Sequence, residues 1–210
     1  MAAAIGAKLP IHKPIGSMII DIGGGTTDIA VISLSGIVTA KNLRVAGDKL
    51  NSDIVSYIRD QFKVLIGEKT AEDVKIALAA IRSGAEVKET VVRGRDVVTG
   101  LPREVIITES DIRDAISHSI DAIIEAVRDV LEKTPPEVLA DVMQRGIYLT
   151  GGGALIPGVS ELLEEVLRVP VIVVPEPLTS VVRGIGMVLE NFDLYEDFLI
   201  DNEDSFSPTF

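Results

Sequence analysis

The octapeptide Asp21-Ile22-Gly23-Gly24-Gly25-Thr26-Thr27-Asp28 combines residue types that handle phosphate. Without a Cβ, three glycines let the backbone take positive φ and come close to a ligand. Successive N–H groups in such a turn can point at one anion, and the hydroxyls of Thr26 and Thr27 add donors. Asp21 ends the apolar run Met18-Ile19-Ile20, where its carboxylate can hold the water shell of a metal ion or a nucleophilic water. A phosphate-bearing ligand with Mg2+ suits this set of groups.

Other glycine motifs fit less well. No Gly-Lys-Ser/Thr follows, so this is not the phosphate loop of the common NTPases. A dinucleotide fingerprint needs a helix after its glycines, whereas Ile29-Ala30-Val31-Ile32-Ser33-Leu34 reads as a second strand. The plainer alternative is an ordinary hairpin, but such a turn needs one or two glycines, not three followed by two threonines and a carboxylate.

A second stretch, Ile147-Tyr148-Leu149-Thr150-Gly151-Gly152-Gly153-Ala154-Leu155-Ile156-Pro157-Gly158, repeats the theme: an apolar strand runs into three glycines. A helix follows with Val159, Leu162, Leu163, Val166 and Leu167 on its core face. Small residues at a strand end let a flat ring or a phosphate lie against the backbone. One such loop is weak evidence; two, each after an apolar strand, point to one ligand gripped from two sides.

The elements that must position these loops read off in order. Ala2 to Ala7 is the tail of a helix of small residues suited to close packing, and Lys8 to Gly16 is a loop holding an exposed His12. Ser35-Gly36 makes a tight turn into a third strand over Ile37 to Val45. Gly47-Asp48 opens a helix with Leu50, Ile54, Ile58 and Phe62 on one stripe, and Gly67 closes that segment. Thr70 reads as the N-cap of a helix burying Val74, Ala77, Leu78 and Ile81. On its polar side Glu72 and Lys75 make a solvated i,i+3 pair. Val87, Val91 and Val92 form one further strand and Val105 to Ile107 another; Arg93, Arg95 and Arg103 around their connection read as a solvated strand edge.

Ser110-Asp111 opens the longest helix, striped by Ile112, Ile116, Ile120, Ile123, Ile124, Val127 and Leu131, with His118 in a structural place at the stripe's border. Pro135-Pro136 ends it and starts another helix that stops at Arg145-Gly146. Val171 to Val174 reads as a buried strand, and Val181 to Leu189 as a last helix broken by Gly184 and Gly186. Residues 193–210, acidic with scattered Tyr195, Phe198, Phe206 and Phe210, read as a flexible tail.

Composition narrows the functions. The 210 residues can bury a real core, with 47% hydrophobic and only 4% aromatic residues, so aliphatic side chains build it. A net charge of −12 without a basic stripe argues against nucleic acid as main partner and against electrostatic attachment to an anionic membrane. No run is long enough to span a bilayer, and cysteine is absent, which fits a reducing cytoplasm.

With both loops placed, the chain resembles the actin-like ATPase superfamily, most nearly its MreB branch of bacterial actin homologues. Asp21–Asp28 is similar to the family's second phosphate motif and Leu149–Gly158 to its adenosine motif. Ala2–Ala7 and Pro177–Gly186 are similar to the two connecting helices, and the order holds over nearly all of residues 1–190. The resemblance implies an α/β fold: a ribonuclease-H-like ATPase subdomain (1–47 plus 108–192) carrying an inserted small α/β subdomain (48–107) and then the tail.

It also implies ATP or GTP held at the phosphates by Gly23, Gly24, Gly25, Thr26 and Thr27. Gly151, Gly152, Gly153 and Ala154 would face the adenosine, with Glu72 and Lys75 reaching it from the insertion. Asp21 and Thr26 would be the catalytic residues, Asp21 acting on Mg2+ or the attacking water. In the intact family member, nucleotide binding favours self-association into cytoplasmic filaments that work with the cell-wall elongation machinery; nucleic acid is not expected, nor membrane contact from this lobe.

Set against the family pattern, the chain corresponds to the second, C-terminal lobe alone. The first phosphate hairpin and the water-positioning glutamate belong to the other lobe. Phosphoryl transfer depends on positioning and charge stabilisation from several sides, so this lobe alone is expected to bind ATP weakly, hydrolyse it very slowly and form no filaments by itself. The alternatives are a nucleotide-independent half-actin module that caps or regulates filaments, or an actin-like relative such as a chaperone, a division protein or a sugar kinase.

Overall fold

The computed structural model describes residues 1–34, 36–82 and 88–196. Helix α1 (Ala2–Gly6) precedes strands β1 (Ser17–Ile22), β2 (Thr27–Ser33) and β3 (Gly36–Leu43). Then come α2 (Gly47–Phe62), β4 (Val64–Leu65), α3 (Glu68–Leu78), β5 (Glu89–Asp96) and β6 (Pro102–Thr108). The remainder is α4 (Glu109–Lys133), α5 (Pro136–Arg145), β7 (Ile147–Thr150), α6 (Val159–Leu167), β8 (Val171–Val173), α7 (Ser180–Glu190) and α8 (Phe192–Tyr195). Single 3-10 turns, Gly152–Leu155 and Pro177–Thr179, follow β7 and precede α7.

Five strands form one mixed sheet in the order β3-β2-β1-β7-β8: the meander β1-β2-β3 is antiparallel, while β7 lies parallel to β1 and β8 parallel to β7. Side chains alternate across a strand. Met18, Ile20 and Ile22 therefore join the main core with α2, α4 and α5, while Ile19 faces the opposite layer with Ala4, Ile5, Leu9 and Ile11. Asp21, by the same alternation, shares the side of Ile19. A second sheet, β4-β5-β6, is antiparallel and joins the same core through Val64, Val92 and Ile107.

The predicted stripes on α2 and α4 are the faces that the fold buries: Leu50, Ile54 and Ile58 on one, Ile112 through Val127 on the other. A capping box fixes the start of α4, since Thr108 accepts from the Asp111 N–H while the Asp111 carboxylate accepts from the Thr108 N–H.

Several expectations are corrected. Helix α3 begins at Glu68 with Gly67 as its cap, because glycine serves as an N-cap and Glu68 supplies the first-turn acid; Thr70 lies inside the helix. Ala77 is exposed, and Ala71 takes its place on the buried face. His118 is on the solvent side of α4, next to Ser119, which the core does take. Strand β8 is at the sheet edge, which leaves Ile172 and Val173 42% and 38% exposed rather than buried. Arg93 and Arg103 are ion-paired to Glu104 and Asp96 across β5 and β6.

Helix α7 is unbroken: Gly184 serves packing, while a Cβ on Gly186 would meet open space. A Cβ on Gly184 would lie 1.9 Å from the Ala2 carbonyl oxygen, and one on Gly6 1.8 Å from that of Ser180. Helices α1 and α7 thus touch backbone to backbone, which offsets the roughly 1 kcal/mol that a helical glycine costs. Tyr195 is buried on α8 with its ring 5.5 Å from that of His12. Residues 193–196 are therefore structured; the Ser35 half of the predicted turn, Val87 and the tail aromatics Phe198, Phe206 and Phe210 lie outside the described residues.

Candidate functional site

Because β1 and β7 run parallel with Asp21 beside Thr150, both strands end at one level and their glycine turns leave the sheet side by side. They open on a cleft of about 770 Å³. Asp21, Gly23 and Gly24 line it from the first turn, Gly151, Gly152 and Gly153 from the second, and Glu72 and Lys75 from α3. Ile76, Leu155, Ile156 and Leu178 give it an apolar wall.

The first turn is closed by the Gly23 N–H donating to the Thr26 carbonyl at 2.9 Å. It rests on the start of α2, where Gly47 and Asp48 N–H groups donate to the carbonyls of Gly23 (3.1 Å) and Gly24 (2.8 Å). Among the described residues, the N–H groups of Gly24 and Gly25 have no protein acceptor. A Cβ on either would meet only Asp48 carboxylate oxygens, at 3.8 and 3.9 Å, so space is open there.

The second turn differs. Gly151 has φ of +84°, and a Cβ there would lie 2.3 Å from the Ile22 carbonyl and 2.5 Å from Asp21 Oδ1. A Cβ on Gly153 would lie 2.3 Å from Ile22 Cγ2. These two glycines are required by contact with β1. Gly152 is exposed, with nothing nearer to a Cβ than Leu178 at 3.5 Å, and its N–H also has no acceptor among the described residues. Behind the turn, Gly151 N–H donates to the Pro177 carbonyl, and the Thr150 hydroxyl lies 2.7 Å from Ser180 Oγ, tying β7 to the start of α7.

Glu72 and Lys75 form more than a solvated pair. Lys75 Nζ donates to Glu72 Oε2 at 2.7 Å and to the Gly47 carbonyl at 3.1 Å, and its side chain is only 10% exposed. Asn51 Nδ2 donates to the same Oε2 at 2.7 Å. The bonds from Lys75 and then Asn51 hold the Glu72 carboxyl below its ordinary range. Asp21 is displaced the other way: burial, then the charge of Asp28 directly across the ladder, raise it above its ordinary 3.8, against a smaller opposing pull from the chain's N-terminal ammonium.

Four predicted residues sit elsewhere than the cleft wall: Gly25, exposed beside Gly24, and three others. Thr27 is fully buried, its hydroxyl donating to the Val45 carbonyl at 2.7 Å. Thr26 donates to Asp28 Oδ2 at 3.0 Å, and Asn42 donates to the other oxygen of that carboxylate at 2.6 Å. Ala154 is buried in the core behind the second turn. Conversely, the cleft takes in Gly47, Asp48 and Leu178, which sequence reasoning did not assign. The available signal was Gly47-Asp48 opening a helix, since a helix N-terminus presents donors to an anion.

Residues 1–197 match the family model described as MreB/Mbl protein. The chain belongs to the MreB/Mbl family. It is 48% identical to the cell shape-determining protein Mbl of Bacillus subtilis over 191 residues, covering 91% of this chain and 57% of that protein. It is 47% identical to the cell shape-determining protein MreB of Haemophilus influenzae over 205 residues, covering 97% of this chain and 58% of the relative. MreB5 of Spiroplasma citri bound to ADP superposes with a TM-score of 0.88 at 38% identity, covering 91% of this chain and 58% of that one. A MamK double helical filament gives 0.73 at 26% identity, covering 90% and 57%. The fold is thus that of the actin-like ATPases, and the chain spans somewhat over half the length of the relatives it matches. No described helix is long and apolar enough to cross a membrane.

Proposed function

We propose that the cleft between the two glycine turns binds ATP with Mg2+, as part of a filament-forming cell-shape protein. The observation that carries this is one cleft lined from both turns by glycines whose N–H groups have no acceptor among the described residues, Gly24 and Gly152, and that also holds a carboxylate, Glu72, and an ammonium, Lys75. The donor set fits a nucleoside polyphosphate: amides for phosphate oxygens, an apolar wall for a base, and carboxylate and ammonium groups for the sugar and polar edges. Solved MreB5 structures carry ADP and AMPPNP, which supports the same ligand here. ATP is favoured over GTP on that ground alone.

Among the described residues no three His, Cys, Asp or Glu side chains converge as a metal site. Mg2+ does not need such a cage, because it keeps several waters and takes one or two carboxylates together with phosphates. Asp21 would hold that water shell, and bound Mg2+ would neutralise phosphate charge. Thr26, held by Asp28 beside the cleft rather than on its wall, would help Asp21 orient a water. The Glu72 to Lys75 pair would fix the nucleoside end.

In the intact protein the ligand would favour assembly into filaments alongside the cell-wall elongation machinery, inside the cell. The solved MamK filament supports the assembly. Titrating labelled ATP into this chain tests the site: saturable binding weakened by Lys75→Ala is expected, and no binding at millimolar ATP to the folded chain would overturn the reading.

A further inference from the structure

On the buried face of α2, Asn51 stands where an aliphatic residue would extend the stripe of Ile54 and Ile58. It is 8% exposed, and its Oδ1 is buried with no hydrogen-bond partner. A buried amide oxygen without a partner destabilises a fold, and leucine at this place would be free of that penalty. Packing therefore does not account for the asparagine. Its one paired group, Nδ2, donates to Glu72 Oε2, the same oxygen that accepts from Lys75.

Two donors on one carboxylate oxygen do two things. They fix the carboxylate plane, and they leave the other oxygen, Oε1, with no partner among the described residues. The side chain of Glu72 is 43% exposed and lines the cleft, so a ligand can reach that free oxygen. An acceptor held in this way is matched by a hydroxyl donor, and an acid on a nucleotide's ribose hydroxyl is a recurrent arrangement.

We propose that Asn51 is a positioning residue: it holds Glu72 by one carboxylate oxygen so that the other accepts from a ribose hydroxyl. This rests on the nucleotide reading of the cleft. Asn51 touches no ligand itself; it acts through Glu72. Lys75 does not fix the carboxylate plane by itself, because an ammonium is a point charge whose donors turn freely about Nζ, whereas the planar Asn51 amide is anchored in the core.

The test compares ATP with 2′,3′-dideoxy-ATP on the whole chain and on Asn51→Leu, with thermal melting in parallel. The unaltered chain is expected to bind ATP more tightly than the dideoxy analogue. Asn51→Leu is expected to melt at the same temperature or higher, to bind ATP roughly fivefold more weakly, as for one lost hydrogen bond, and to leave the dideoxy affinity unchanged. The milder Asn51→Ala should show the same loss of discrimination. Equal weakening for both nucleotides, or unchanged discrimination, would overturn the role of Asn51 while leaving the cleft a nucleotide site. Failure of the unaltered chain to bind either nucleotide would remove the cleft reading and this inference together.

Discussion

The two glycine turns look alike as text and differ as structures. In the first, Gly24 and Gly25 face open space with free N–H groups. In the second, Gly151 and Gly153 are pressed against Ile22, and only Gly152 resembles its counterparts across the cleft. A glycine run can thus record two separate demands: that a ligand come near the backbone, or that another strand does. The first turn is shaped for its ligand, while the second is shaped largely by β1 and offers one open amide as a result.

Substitutions should separate these demands. Gly151→Ala puts a Cβ in a left-handed conformation and within 2.5 Å of two β1 groups, Ile22 O and Asp21 Oδ1, and Gly153→Ala puts one 2.3 Å from Ile22. Each is expected to lower stability in urea unfolding by about 3 kcal/mol or more, since neither backbone nor strand can yield cheaply. Gly24→Ala should change stability by less than about 1 kcal/mol, the size of an ordinary surface substitution, yet weaken ATP. Equal destabilisation by Gly24→Ala and Gly151→Ala would erase the distinction.

Next in size is Lys75→Ala. It removes the donor that bridges Glu72 to the Gly47 carbonyl, and so ties α3 to the base of the first turn. ATP affinity should fall roughly tenfold, the weight of a hydrogen bond to a charged group. Binding isotherms at fixed salt check this.

A smaller effect concerns Asp21. Its carboxyl is raised in the folded chain by burial first and Asp28 second, so the folded state holds this proton more tightly than the unfolded one. Stability from this group is present below the ordinary 3.8 and declines as pH rises through the folded value. Asp21→Asn should flatten that part of the pH profile and leave the neutral-pH fold at least as stable, while weakening Mg2+-dependent ATP binding. Calorimetric melting across pH 3 to 7, roughly the span in which carboxyl groups titrate, decides it.

The smallest effect lies far from the cleft. Asp96 accepts from the Thr99 N–H, the Arg103 guanidinium and the Val98 N–H, which together hold its carboxyl down to about 2. The hairpin between β5 and β6 should therefore have this support in full above the ordinary 3.8 and lose it progressively as pH falls from there through about 2. Asp96→Asn should speed amide exchange at Val98 and Thr99 without changing ATP binding.

What could be read from the sequence follows range of interaction. The strand, glycine turn, strand of residues 18–34 was legible because burial alternates locally, and the stripe of α4 because its isoleucines recur every three or four positions. Acid and base on α3 were legible as a pair, but not that Asn51, on the preceding helix, would share Glu72. Nothing local marks Gly151 and Gly153 as packing residues, since their partner is Ile22, distant in the chain. The same holds for Gly184 against Ala2, for Tyr195 against His12, and for β8, whose valines look buried until the sheet order places them at an edge. Thr26 and Thr27 share one chemistry in sequence; the structure turns one to Asp28 and the other to the Val45 carbonyl.

The central claim is that both turns hold the same ligand. Amide NMR of the chain during an ATP and Mg2+ titration tests it most directly. The account predicts that Gly24, Gly25 and Gly152 N–H signals shift together with one dissociation constant. Shifts confined to one turn, or different constants at the two, would contradict it.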